Sequence, residues 1–261
     1  MTRRSATRES LLPWLLPVAL LAFWQLGATV GVISTRVLPA PSAVFVAAFE
    51  LGRSGELFHH IGISFARALA GFALGGGVGF VLGLLNGLSP TASRLLDSTL
   101  QMLRNVPHLA LIPLVILWFG IDEEAKLFLV AFGVFFPIYL NTYHGVRTVD
   151  AGLAEMGRAY GLEDFAFFRE VILPGALPSI LVGVRYGLGI TWLTLIVAET
   201  ISASSGIGYM TMNAREFLQT DVVVLGILIY ALLGKLADSA TRYLERRWLS
   251  WHPAFQIAET A

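Results

Sequence analysis

Between Arg67 and Arg94 the chain runs for 26 residues without a charged side chain, and a second uncharged run, Ser10 to Thr35, is equally long. A helix crossing a bilayer needs about 20 consecutive apolar residues. Runs of this length leave few folds open, because in lipid every backbone N–H and C=O must be satisfied within the protein. Only 14% of the residues are charged, against about 25% in soluble domains. The expectation is an all-α membrane protein. The run from Ser10 to Thr35 is too long for the 7–15 apolar residues of a signal-peptide core and reads as a span with a basic flank, MTRRSATRES.

Six blocks meet the length requirement, at about 11–33, 65–87, 102–120, 126–146, 176–199 and 221–241. Six transmembrane helices put both termini on one side. With the termini inside, the cytoplasmic pieces carry Arg3, Arg4, Arg8, Arg94, Arg104, Arg147, Arg158, Arg169, Arg242, Arg246 and Arg247, eleven in all, and the outer pieces carry Arg36, Arg53, Lys126 and Arg215. Positive residues accumulate on the cytoplasmic side, so both termini are expected there. The implied organisation is a tail over 1–10, a six-span domain over 11–242 with its largest cytoplasmic loop at 147–175, and a second tail over 243–261.

Other function classes find little support. The net charge is zero, so a nucleic-acid partner has no electrostatic basis. There is no cysteine, and no phosphate-binding loop, zinc-protease motif or nucleophile elbow occurs. His59 and His60 fall in an outer loop and read as solvated; His108 and His144 lie near span ends. No metal and no cofactor bound by this chain is expected. Energy for uphill transport would come from an ion gradient or from a partner ATPase.

Two patterns stand out in the spans. Gly71, Gly75, Gly79, Gly83 and Gly87 recur every four residues, and small residues at this spacing let another helix backbone approach closely. They serve packing within one subunit or a dimer seam. Charged residues within spans tend to face a cavity or a partner. Arg185 is therefore a candidate for an anion path, or else it reaches the interface or pairs with a carboxylate. Glu199, with Ser202, Gly206 and Gly208, could form a gate. Lys235 and Asp238, three apart, can pair on one helix face. Pro107 and Pro113 can kink the third span.

The loop EMGRAYGLEDFAFFREVILP (155–174) reads as a helix, a break at Gly161, and a second short helix begun by Glu163 and Asp164. Ala151, Ala154, Met156, Ala159 and Tyr160 give the first helix a small apolar strip. Phe165, Phe167 and Phe168 supply apolar contacts on the second, and Leu173-Pro174 with Leu177-Pro178 should stop it. Here a resemblance becomes specific. Glu155, then Gly161 six residues on, then Val171 and Leu173-Pro174 match the coupling motif of ABC-importer permeases, E-A-A, three residues, G, nine residues, I-x-L-P. Met156-Gly157 replace the two alanines and Val171 the isoleucine. The runs at 100–126 and 193–221 are similar to the nitrate/taurine/sulfonate family of these permeases, most closely its aliphatic sulfonate branch.

The resemblance implies a type I importer (MetI-like) permease fold in a bacterial inner membrane. It implies a homodimer, two ATP-binding subunits that use ATP and Mg2+, and a periplasmic sulfonate-binding protein. Glu155, Met156, Gly157, Gly161, Val171, Leu173 and Pro174 would be the ATPase-coupling residues. The implied cargo is an alkanesulfonate used for sulfur supply. Taurine, nitrate or another small anion of the same family is the alternative cargo. An ion-coupled secondary transporter and a non-transporting scaffold are the alternatives outside the family.

Overall fold

The computed structural model describes residues 3–251, with side chains over 15–201 and 203–251, and every described element is helical. In chain order these are α1 (Arg3–Thr29), α2 (Pro41–Ser54), α3 (Glu56–Leu88), α4 (Pro90–Arg104), a 3-10 turn (His108–Leu111), α5 (Ile112–Phe119), α6 (Glu123–Arg147), α7 (Ala151–Ala159), α8 (Asp164–Phe167), a π turn (Phe168–Ile172), α9 (Leu173–Ser202), α10 (Ile207–Glu216) and α11 (Thr220–Trp248). Two compact units are present, Met1–Gly62 with Ser204–Ile229, and Ile63–Ala203 with Tyr230–Ala261.

Among the described residues, four helices are long and apolar enough to cross a membrane: Glu56–Leu88, Glu123–Arg147, Asp164–Ile201 and Thr220–Trp248. A fifth crossing exists if the pair Pro90–Arg104 and His108–Phe119, bent by 80°, acts as one span. Within α1 the stretch Leu15–Thr29, where side chains are described, is apolar as well. The third span, expected at 102–120 with Pro107 and Pro113 able to kink it, is broken near the first of these prolines. Its helix ends at Arg104, Pro107 stands as N-cap of the 3-10 turn, and α5 starts afresh. Proline has no N–H to donate and excludes the α conformation from the residue before it.

The stretch taken as a loop between the first two spans is also helical. Pro41 opens α2 and Gly55, at φ +83°, closes it; α3 begins at once with Glu56. Leu173-Pro174 and Leu177-Pro178 do not stop the helix either. Asp164–Ile201 runs as one element of 38 residues. The π turn absorbs the first proline: the Leu173 N–H donates to the Phe168 carbonyl, five residues back, so the ladder is already shifted where Pro174 has nothing to donate.

In the larger unit α6 is the central helix. Lipid tails are as apolar as leucine, so helices here associate by close packing rather than by the hydrophobic effect. The five glycines of the α3 stripe all face α6. A Cβ on Gly79 would sit 2.5 Å from the Phe135 carbonyl, and one on Gly83 2.8 Å from the Tyr139 carbonyl. Gly71 and Gly87 abut Val130 and Val146, and Gly75 abuts the Ala131 backbone. The opposite partner, α9, approaches as closely: a Cβ on Gly145 would lie 2.8 Å from the Ala176 carbonyl, and one on Gly183 3.0 Å from that of Pro137. Ser179 Oγ donates to the Asn141 carbonyl at 2.7 Å, tying α9 to α6. Large apolar side chains such as Leu74, Val81, Leu117 and Leu193 are exposed on the outer faces.

In the smaller unit, Gln25 of α1 and Ser42 of α2 exchange two hydrogen bonds, at 3.1 and 3.2 Å. Gly226 packs on Thr211 of α10.

Candidate functional site: a capped projection and a buried charge cluster

The projection starts where α6 ends. Asp150 caps α7, its Oδ1 accepting the Leu153 N–H at 2.9 Å. The far end closes through Gly161, at φ +80°. The Gly161 N–H donates to the Arg158 carbonyl and the Leu162 N–H to that of Gly157. This paired closure satisfies carbonyls the helix leaves open, and its left-handed residue favours glycine. Asp164 begins α8 at φ +43°, an angle aspartate tolerates better than most residues.

Gly157 is buried, and the Cβ it lacks would lie 2.9 Å from Val171 Cγ2 and 3.3 Å from the Phe167 ring. Two of the three positions that depart from the motif, Gly157 and Val171, thus pack against one another. The guanidinium of Arg158 stands 5.3 Å from the centroid of Phe167, a further tie between α7 and the helix that follows. Glu155, Met156 and Tyr160 are exposed, whereas Val171, Leu173 and Pro174 are half-buried. A largely apolar groove of about 720 Å³ lies along this projection, lined among others by Met156, Tyr160, Leu162, Val171, Pro174 and Trp251. Met156 and Tyr160, of the apolar strip on α7, line this groove.

At the other end of the same unit lies a cluster that the sequence did not reveal as a group. Glu199, near the end of α9, is 1% exposed. It accepts the Ser64 hydroxyl on both oxygens at 2.8 Å. Arg67 Nη1 donates to its Oε1 at 2.8 Å and the Tyr230 hydroxyl to its Oε2 at 2.8 Å. Arg67 is itself 5% exposed. Its Nε and Nη2 form a fork on Glu123, both bonds 2.5 Å long. Lys126, also buried, donates to the carbonyls of Ile121 and Asp122 and stands 3.6 Å from Glu123. Four helices, α3, α6, α9 and α11, meet here through charge-assisted bonds, the stronger class of hydrogen bond.

Several expectations are corrected by these contacts. Lys126, counted among the residues of the outer pieces, is buried rather than solvated. His60 is not solvated: it is 6% exposed in α3, and its Nδ1 accepts the Gly206 N–H at 3.1 Å. His59 remains exposed. Asp238 does not pair with Lys235; it holds Arg185 Nε at 2.7 Å and Arg242 at 2.5 Å. Arg185 is thus paired with a carboxylate, one of the alternatives named beside an anion path. Gly206, at φ +104°, precedes α10, and Gly208 is buried within it. The side chain of Ser202 lies outside the described residues, as do those of the basic N-terminal flank. The signal for the buried cluster was present, since Arg67 and Glu199 interrupt or end apolar runs, but their distances in sequence, 132 residues for that pair, carry no pattern. Among the described residues no group of three His, Cys, Asp or Glu side chains could hold a metal ion.

Comparison with known proteins gives these arrangements a setting. Residues 75–250 match the family described as "Binding-protein-dependent transport system inner membrane component". The chain is 64% identical over 247 residues to a protein of Escherichia coli (strain K12) named as an aliphatic sulfonates transport permease, SsuC, covering 95% of this chain and 94% of that one. Its namesake in Bacillus subtilis (strain 168) is 50% identical, covering 93% and 88%. Among solved structures, an inward-facing form of the MetNI methionine ABC transporter superposes with a TM-score of 0.51 at 21% identity, covering 68% of this chain and 92% of that chain. At that identity the likeness speaks for the fold.

Proposed function

This chain belongs to the inner membrane components of binding-protein-dependent transport systems, the permeases of ABC importers, and from that premise we propose that it carries aliphatic sulfonates inward for sulfur supply. Two copies of the chain form the path. Two ATP-binding subunits bind the ATP and Mg2+, and a periplasmic binding protein delivers the sulfonate. Both termini, and the projection at α7, face the cytoplasm. The relatives named for aliphatic sulfonates, aligned over nearly the whole chain, support that cargo over taurine, nitrate or another small anion.

One observation carries the coupling role. Glu155, Gly161, Val171, Leu173 and Pro174 belong to a single capped unit, and its second half is the root of a helix 38 residues long. A displacement of α7 by an ATPase is delivered to that helix through Gly157 and Val171, without a flexible joint between. Glu155 and Met156 present the docking face, and Gly161 fixes the angle. Closure of the ATPase pair then rocks α9 against α6. The end of α9, with Glu199, and the segment from Ser202 through Gly206 to Gly208 act as a gate on the outer side. Arg185 borders the path from its pair with Asp238.

The test is growth of a deletion strain on ethanesulfonate, taurine or sulfate as sole sulfur source, or on nitrate as sole nitrogen source. Rescue by the wild type confined to alkanesulfonates is expected, with no rescue by Gly161→Pro at equal membrane abundance. A defect confined to taurine or nitrate would move the cargo. Full rescue by Gly161→Pro would remove the projection from the coupling path.

A further inference from the structure

His108 opens the 3-10 turn at the break between α4 and α5. Its Nε2 stands 3.0 Å from the hydroxyl of Thr194 on α9, a fully buried residue. Its Cδ2 faces α6 at Gly133, where an added Cβ would lie 3.3 Å from that carbon and 3.2 Å from Thr194 Oγ1. A glycine of α6 thus makes room for the imidazole and the hydroxyl together. Gly133 lies near the middle of α6, ~15 Å from one end and ~21 Å from the other at 1.5 Å per residue. The ring is therefore close to mid-membrane rather than at the end of a span. An ionisable side chain at that depth faces a cavity or a partner.

The backbone beside the ring makes the same demand. Asn105, Val106 and Pro107 join two helices bent by 80°, and all three are exposed in the chain. Non-helical backbone at membrane depth is stable only where protein covers it or where it lines water. The orientation of the ring decides which group is offered there. Thr191 and Thr200, on the same helix as Thr194, donate to carbonyls of α9 at 2.9 Å. Thr194 turns its hydroxyl to His108 instead. A hydroxyl that donates to Nε2 leaves the proton of a neutral imidazole on Nδ1. The edge formed by Cδ2 and Nε2 lies against α6 and α9. The opposite edge of this half-buried ring, with the Nδ1–H, is turned away from both helices.

We propose that the break in the third span is open to the transport path and that His108 touches the cargo there, its Nδ1–H donating to a sulfonate oxygen at mid-membrane. Thr194 is a positioning residue that fixes the tautomer and the plane of the ring, and Gly133 keeps the space for both. The donor is a single neutral N–H. It offsets part of the hydration the anion leaves behind without forming an ion pair, which suits a step that must pass its ligand on. The identity of the anion rests on the sulfonate reading above; the opening of the break to the path does not. A break closed by the second copy of the chain is the contrary outcome of the test.

The test uses the complete complex of permease and ATPase in lipid nanodiscs, without binding protein. The permease has no cysteine of its own, so Val106→Cys places one thiol at the break. The probe is 2-sulfonatoethyl methanethiosulfonate, a thiol reagent that carries an ethanesulfonate group and is excluded from lipid. Labelling of the permease is expected, and excess ethanesulfonate is expected to slow it at least about threefold. His108→Phe in the same background keeps a ring and removes the donor; labelling persists and the protection is lost. His108→Gln, which keeps an N–H donor, retains the protection. Thr194→Val weakens it and Thr194→Ser restores it. In cells, His108→Phe lowers ethanesulfonate uptake at least about tenfold at equal membrane abundance, and His108→Gln keeps most of it. No labelling at Val106→Cys, with ATP or without, means a covered break and overturns the proposal. Labelling without protection in the Val106→Cys protein, which needs no change at His108, or protection that survives His108→Phe, overturns the contact with cargo. Protection by nitrate but not by ethanesulfonate keeps the site and overturns the sulfonate cargo, so the two failures are distinct.

Discussion

Gly161 and Glu199 show how much a single residue decides in this chain. Gly161 adopts φ +80° with open space around the position of its missing Cβ, so any defect on substitution arises from backbone strain rather than collision. A β-branched residue there costs about 1–2 kcal/mol and turns α8 away from α7. Gly161→Val is expected to reach the membrane at wild-type abundance and to lower sulfonate uptake at least about tenfold, measured with labelled ethanesulfonate against an immunoblot of the membrane fraction. Glu199 is a stability residue first. Glu199→Gln takes a buried carboxylate charge away from Arg67, and the expected cost is about 3 kcal/mol, read as a clear fall in the melting temperature of the purified complex. Gly157 was legible in the sequence as a departure from the motif. That it complements Val171 was not, because a substitution and its compensation look independent until a structure brings them together.

At the level of elements, the packing of α3 on α6 is set by the glycine stripe, and the stripe was the strongest structural signal in the sequence. A period of four on a helix is a face, but which helix meets that face is not written in the period. Gly79→Leu places a side chain where 2.5 Å separates the Cβ position from the Phe135 carbonyl. That variant is expected to fail to accumulate in membranes. Gly77→Leu, where nothing lies within 4 Å of the added Cβ, is expected to accumulate normally in the same blot. Equal accumulation of both would contradict the packing. The helices themselves were legible wherever apolar runs were long. In the third span Pro107 marked a kink but not its size, since the hydropathy persists across it while the backbone turns by 80°. The continuous helix through Pro174 was missed for the converse reason. Proline reads as a stop, yet one π turn upstream changes which N–H groups are needed.

For the whole molecule, the projection and the charge cluster lie at opposite ends of α6 and α9, separated by about 35 Å at 1.5 Å per residue. Helices joined through glycine contacts on backbone carbonyls resist bending between those ends, so a displacement of α7 is felt at Glu199 as rotation of α9 as a whole. The class of the molecule was legible in its uncharged runs and its coupling loop. Its outer cluster was not, because Ser64, Arg67, Glu123, Glu199 and Tyr230 come from four helices and no spacing links them. A direct check on this transmission is the variant Gly157→Leu, which forces α7 off Val171. It is expected to retain ATP hydrolysis in the assembled complex and to lose stimulation of that hydrolysis by the loaded binding protein.

The central claim is that transport by this chain is driven by ATP through a partner subunit. The measurement that tests it most directly is uptake of labelled ethanesulfonate into proteoliposomes that hold the permease and its ATPase, with the binding protein outside. Accumulation that requires ATP and Mg2+ inside the vesicle, and persists when an ionophore collapses the ion gradients, is the expected result. Accumulation without ATP that the ionophore abolishes would contradict it and make the chain an ion-coupled carrier.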